Sequence, residues 1–153
     1  MKTLILIRHA HALSAWDAHV AKDAQRPLSE QGLQKAAATA KQLATLNVHP
    51  QIILTSPLVR AVQTAEIVAQ QLAAPVRAEE MLNGFAADDA VADFLLTQLD
   101  HKDTVLAVGH NPNITCVCHA LCKQVRPFSP GDFAVLKFDD TKTLQDVYFG
   151  EKA

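Results

Sequence analysis

An arginine-histidine pair, Arg8-His9, directly follows the apolar run Leu4-Ile5-Leu6-Ile7, where a buried strand gives way to a loop. A second such run, Val105-Leu106-Ala107-Val108, ends in Gly109-His110. A third, Ile52-Ile53-Leu54, opens through Thr55-Ser56-Pro57 into a helix-like stretch carrying Arg60. A neutral imidazole with one ring nitrogen free is a nucleophile. Arginine's planar fork matches the oxygens of a phosphoryl group and neutralises the charge they carry in the transition state. In open α/β sheets ligands bind outside the carboxyl ends of the strands. Parallel neighbouring strands would therefore bring Arg8, His9, Arg60 and His110 to one edge, as a phosphate site that contains a nucleophile. His110, beside a helix opening at Asn111 or Pro112, is placed to donate to phosphoryl oxygens.

The elements that position these groups alternate. A strand over 3–7 leads into a loop of about twenty residues, long enough to suggest function rather than a spacer. Ser29 is an N-cap, with Glu30 favourable to the dipole, for a helix whose apolar face is Leu33, Ala36, Ala37, Ala40, Leu43 and Ala44. A strand over 51–55 follows, then a helix with Pro57 in its first turn and Leu58, Ala61, Val62, Ala65, Val68, Ala69 and Leu72 at helical spacing. A short strand over 76–80 precedes the turn signal Asn83-Gly84, and Asp88 or Asp89 can cap a helix running through Leu99. Thr104 to Val108 reads as a buried strand. Asn111 as N-cap and Pro112 at the first helical position open a helix to about Gln124. Phe133 to Phe138 and Leu144 to Phe149 read as a closing antiparallel pair. This order implies an α/β fold on a parallel-rich sheet.

With 153 residues, 49% of them apolar and 20% charged, the chain is expected to form a single domain over 1–153. A net charge of -2 argues against nucleic-acid binding through an overall field. The N-terminal apolar stretch is too short for a signal peptide or a membrane span, so the expectation is a cytoplasmic protein away from membranes. Cys116, Cys118 and Cys122, an odd count, supply no disulfide framework.

Leu6-Ile7-Arg8-His9-Ala10, Arg26-Pro27-Leu28-Ser29-Glu30-Gln31-Gly32, the segment Thr55-Ser56-Pro57-Leu58-Val59-Arg60-Ala61-Val62-Gln63-Thr64-Ala65 and Val108-Gly109-His110-Asn111-Pro112 together resemble the histidine phosphatase superfamily, closest to its small SixA-type phosphohistidine phosphatase branch. The resemblance runs from Met1 to about Phe138. It implies a phosphoglycerate mutase-like fold: a three-layer α/β/α sandwich on a mostly parallel sheet, here with an antiparallel C-terminal edge. It further implies that His9 accepts the phosphoryl group as a covalent phosphohistidine, that Arg8, Arg60 and His110 bind and neutralise it, and that neither metal nor cofactor is needed. Arg26, Ser14 and Asn111 are candidate substrate-binding residues, with Arg26 equally readable as a brace for the long loop. The implied partner is a phosphorylated protein such as a phosphotransfer domain, and the expected state is a monomer or weak oligomer. Ala10 stands where the family commonly has Gly. No acidic residue in mid-chain matches the family's proton donor clearly, and Glu80 and Asp88 are the candidates.

Other readings compete. His9-x-His11 fits the metal ligands of barrel hydrolases, but such a barrel takes ~200 residues or more. Helical geometry sets Cys118 and Cys122 on one face and Cys116 nearly opposite, so buried apolar cysteines are expected rather than zinc ligands. His11 lines the cleft or lies in solvent; Trp16 contacts a partner or covers the core. Asp17, Lys22 and Asp23 read as a solvated surface. Alternative functions are a small-metabolite phosphomonoesterase and a non-catalytic phosphoprotein-binding module.

Overall fold

A computed structural model describes residues 1–150. Six strands, β1 (Lys2–Arg8), β2 (Ile52–Thr55), β3 (Val76–Ala78), β4 (Thr104–Gly109), β5 (Phe133–Phe138) and β6 (Leu144–Phe149), form one sheet in the order β3-β2-β4-β1-β5-β6. The first four run parallel; β5 is antiparallel to β1, and β6 to β5. The helices are α1 (Ala15–Ala18), α2 (Glu30–Thr45), α3 (Val59–Leu72), α4 (Asp88–Gln98) and α5 (Asn113–Cys122), with one-turn 3₁₀ segments at Asp23–Gln25 and Glu80–Leu82.

The apolar strands have no polar face because both of their faces are covered. Successive side chains point to opposite sides. Leu4 and Leu6 accordingly join Leu54, Val105 and Ala107 under α4 and α5, packed on Val91, Leu95, Ile114, Val117 and Cys118. Ile5 and Ile7 join Ile53, Leu106 and Val108 under α2 and α3, packed on Ala40, Leu43, Ala61, Ala65 and Val68. This is the expected three-layer α/β/α sandwich with an antiparallel C-terminal edge. Among the described residues no helix is long and apolar enough to cross a membrane.

Several local expectations are corrected. Pro57 lies outside α3, whose N-cap is Leu58. The side chains of Asp88 and Asp89 are in the first turn of α4, and its N-cap is Ala87. Pro112 rather than Asn111 is the N-cap of α5, although the Asn111 amide oxygen still accepts from the Thr115 N–H at 3.3 Å. That helix ends at Cys122, where Lys123 turns left-handed with φ 63°.

The long loop is short-circuited by its own ends. Ala12 and Leu28 form an isolated antiparallel bridge, the Leu13 N–H donates to Pro27 O at 2.9 Å, and Ser29 caps α2 through a 3.0 Å bond from the Gly32 N–H. Gly32 permits this closure, because a Cβ there would sit 2.0 Å from the His11 carbonyl oxygen. Backbone on backbone cannot yield cheaply, so Gly32→Ala is expected to destabilise the protein by at least about 2 kcal/mol. A lower urea midpoint at an unchanged m-value would register it.

Candidate active site

The sheet order makes β2, β4 and β1 consecutive and parallel, so their carboxyl ends share one edge. Arg8 pairs with Gly109 and Thr55 with Val108. The next residues are His9, His110 and Ser56, and the register therefore sets them side by side. The two imidazole centroids lie 4.9 Å apart at an interplanar angle of 59°.

His9 is half-buried, and its Nδ1 bonds the Ala10 carbonyl oxygen at 2.7 Å. A carbonyl only accepts, so Nδ1 carries the proton and Nε2 keeps its lone pair. Burial pushes the His9 pKa down to about 4, and the charges of Arg60, Arg8 and Arg26 push the same way against the Ala10 bond. His110 is buried, with Nε2 bonded to the Ser56 hydroxyl at 2.7 Å. Burial, then His9 and Arg60, push its pKa to about 3, with Asp23 opposing. Both rings are therefore neutral at neutral pH. Gly84, at φ 97°, brings the loop after β3 against His110, since a Cβ on it would lie 3.2 Å from the His110 Cβ.

The arginines are held by oxygens. Arg8 Nη1 donates to Phe128 O at 2.8 Å, while its buried Nε has no hydrogen-bond partner. Arg60, in the first turn of α3, donates from Nη1 to Asp23 O at 2.9 Å and from Nη2 to Asp23 Oδ2 at 3.0 Å. Arg26 donates from Nε to Leu13 O at 2.7 Å and from Nη1 to Asp23 Oδ1 at 2.9 Å. It both braces the loop and adds its charge to the field on His9. Thr64 joins α3 to the loop after β1, donating to Arg60 O at 2.8 Å and accepting from the Ala10 N–H at 3.1 Å. Ala10 is fully buried and is not among the residues with positive φ, so alanine fits where the family commonly has glycine.

The other candidates are placed differently. Ser14 is the N-cap of α1, accepting from the Asp17 N–H at 3.1 Å. Asn111 shares Phe128 O with Arg8, through a 2.9 Å bond from its amide nitrogen, and its oxygen accepts from the Thr115 hydroxyl at 2.9 Å. Glu80 is exposed, and Asp88 accepts from the Asn113 amide on α5. His11 is exposed, bonds the Ser29 hydroxyl at 2.7 Å, and lines a cavity of about 580 Å³ with Gln31, Gln34 and Lys35, to which neither His9 nor His110 contributes. Cys118 and Cys122 are buried with their sulfurs 4.0 Å apart.

Two expectations are overturned. Trp16 is 86% exposed, so it does not cover the core. Asp23 is no bystander on a solvated surface, since it engages two arginines of the cluster. Ser56 and Thr64 were likewise missed, because nothing in their local sequence separates a site hydroxyl from an ordinary buried one.

A model of the histidine phosphatase superfamily (branch 1) matches residues 4–91, more than half of the chain. The chain belongs to this superfamily. It is 34% identical over 109 residues to an uncharacterised protein of Picosynechococcus sp., a match covering 68% of this chain and 64% of that protein. The chain thus spans less than two-thirds of that relative's length. Among solved structures, a protein provisionally named phosphohistidine phosphatase SixA from Nakamurella multipartitia is 26% identical with a TM-score of 0.79, over 96% of this chain and 95% of that one. The protein histidine phosphatase SixA complexed with tungstate is 23% identical with a TM-score of 0.83, over 97% and 94%. The SixA-type fold therefore extends over nearly the whole chain.

The low histidine pKa values make stability pH-dependent. An unfolded histidine takes up a proton near its ordinary 6.5, whereas folded His9 does so only near 4 and His110 near 3. The contribution is complete above about pH 6.5 and is lost as pH falls from there through about 4 and 3. Urea midpoints should decline over that window, and less steeply in His9→Gln.

Proposed function

We propose that this superfamily member is a phosphohistidine phosphatase acting on a phosphorylated protein, such as a phosphotransfer domain, through a covalent intermediate on His9. The observation that carries the reading is the His9 tautomer: a neutral imidazole with its Nε2 lone pair available, among three arginines whose charges all reach it. The buried, unpaired Arg8 Nε supports it, since buried donors ordinarily have a partner and an oxyanion would supply one. A SixA protein of the same fold holds tungstate, itself an oxyanion.

In the first step His9 Nε2 attacks phosphorus, and the bond from phosphorus to the substrate's ring nitrogen breaks with its electron pair staying on that nitrogen. A substrate imidazole protonated on its other nitrogen leaves neutral and needs no acid from the enzyme. Arg8, Arg60 and His110 meet the equatorial oxygens. The phosphorylated His9 keeps its Nδ1–H on the Ala10 carbonyl, so it carries a positive ring and is itself a good leaving group. Water then attacks phosphorus, the bond to Nε2 breaks, and inorganic phosphate leaves with both of the water's protons at first. Neutral His9 is restored.

Substrate choice follows from the carboxylates. A phosphomonoester leaves as an alkoxide that wants a proton, and Asp23, the acid whose charge reaches His110, is held ionised by Arg26 and Arg60. This favours phosphoramidate over ester. A pure binding module would have no use for the free Nε2 lone pair. The free thiols fit a reducing compartment, and cytoplasmic placement is part of the same proposal.

Phosphate release from a phosphohistidine protein, para-nitrophenyl phosphate and a panel of sugar and nucleotide phosphates would test the substrate class, with the phosphoprotein expected to give the highest kcat/KM. His9→Ala should abolish turnover while the fold persists, and Arg60→Ala should lower kcat by about 10²–10³-fold. Normal hydrolysis by His9→Ala would sink the mechanism.

A further inference from the structure

Three arginines act on His9, and one carboxylate, that of Asp23, is shared between two of them. We propose that Asp23 is the positioning residue of this pocket, clamping the guanidiniums of Arg60 and Arg26 from the rim so that their remaining N–H groups are aimed before the phosphoryl group arrives. The proposal rests on the phosphatase reading above and adds a role for a residue outside the reacting set.

The donor inventory shows how a clamp differs from a plug. A guanidinium has five N–H groups. Asp23 takes one from Nη1 and one from Nη2 of Arg60, through its backbone oxygen and Oδ2. The Nε–H and the second hydrogen of each terminal nitrogen remain for an oxyanion. Oδ1 meanwhile accepts from Arg26 Nη1, while Arg26 Nε is fixed on Leu13 O. Each carboxylate oxygen thus holds a different arginine, and the backbone oxygen ties the 3₁₀ turn itself to α3.

Stability alone does not account for this arrangement. The Asp23 side chain is 65% exposed although that of Arg60 is only 10%, and an ion pair with one partner in solvent contributes less than a buried one. What the pair does supply is orientation. Arg60 is a long side chain leaving the first turn of a helix, and a donor aimed beforehand need not reorganise during the reaction. Hydrogen bonds from Arg26 and then Arg60 hold the Asp23 carboxyl below its usual range, so it acts as a fixed negative charge and not as a proton donor. With three arginines against Asp23, and Asp132 acting on Arg8, the cluster also keeps a net positive charge for a phosphoryl group.

The test is a double-mutant cycle on para-nitrophenyl phosphate and on a phosphohistidine protein. Asp23→Ala should lower kcat by about 10- to 100-fold on both substrates, as misplacement of a catalytic group does. KM should move less, the thermal midpoint should shift by no more than about 3 °C, and Asp23→Glu should restore part of the rate. In an Arg60→Ala background, Asp23→Ala should lose most of its effect, because a residue acting through another is not additive with it. Inorganic phosphate titrations, read through Trp16 on the same loop, should show weaker binding in Asp23→Ala. Wild-type kinetics in Asp23→Ala, or full additivity with Arg60→Ala, would overturn the clamp. Tighter phosphate binding with undiminished kcat would overturn it too, making Asp23 a competitor for Arg60. If the wild-type protein releases phosphate from neither substrate, it is the phosphatase reading that fails, and if His9→Ala leaves turnover intact, it is the His9 mechanism.

Discussion

Parallel pairing of β4 between β1 and β2 is the interaction on which everything else in this protein depends. With Arg8 opposite Gly109 and Thr55 opposite Val108, the next residue of each strand is His9, His110 or Ser56. A slip of one residue would send every strand side chain to the other face. It would exchange the Leu4 and Leu6 face with the Ile5 and Ile7 face, and part the two imidazoles. The register is thus held by two buried cores at once, and the histidine geometry follows from packing far from the chemistry.

Charge is the second constraint. Three arginines and two imidazoles share a small, partly desolvated volume, and like charges so placed raise one another's energy. The cluster tolerates this because the imidazoles give up their protons and the arginines keep theirs. The histidines that result are neutral, and His9 keeps a lone pair on Nε2. Oxygens complete the balance: Phe128 O for Arg8, Leu13 O for Arg26, and Asp23 for both Arg26 and Arg60. The guanidiniums are thus held in fixed orientations by oxygens of the protein itself.

Much of this was legible in the sequence where local rules apply. Continuous apolar runs meant strands buried on both faces, Ser29 marked the start of α2, and the residues just past three strand ends identified His9, His110 and, a turn later, Arg60. Rules failed where a group's partner was distant in the chain. Asp23 is 37 residues from Arg60, on an irregular loop with the composition of a surface. Trp16 was equally readable as core or as partner contact, and only the fold leaves it 86% exposed. Asn111 matched an N-cap and its oxygen does bond Thr115 in the first turn of α5, but a tertiary bond to Phe128 O drew its amide nitrogen into bracing the loop.

By itself, then, the sequence determined the order and type of the elements, the family, and which histidines and arginines meet at the sheet edge. These depend on hydrophobic periodicity and on residues contiguous in the chain. Only the tertiary structure decided which nitrogen of His9 is free, that both imidazoles are neutral, and that a loop carboxylate holds two arginines in place. Those properties arise from burial and from hydrogen bonds between distant segments, and neither has a signature in local sequence.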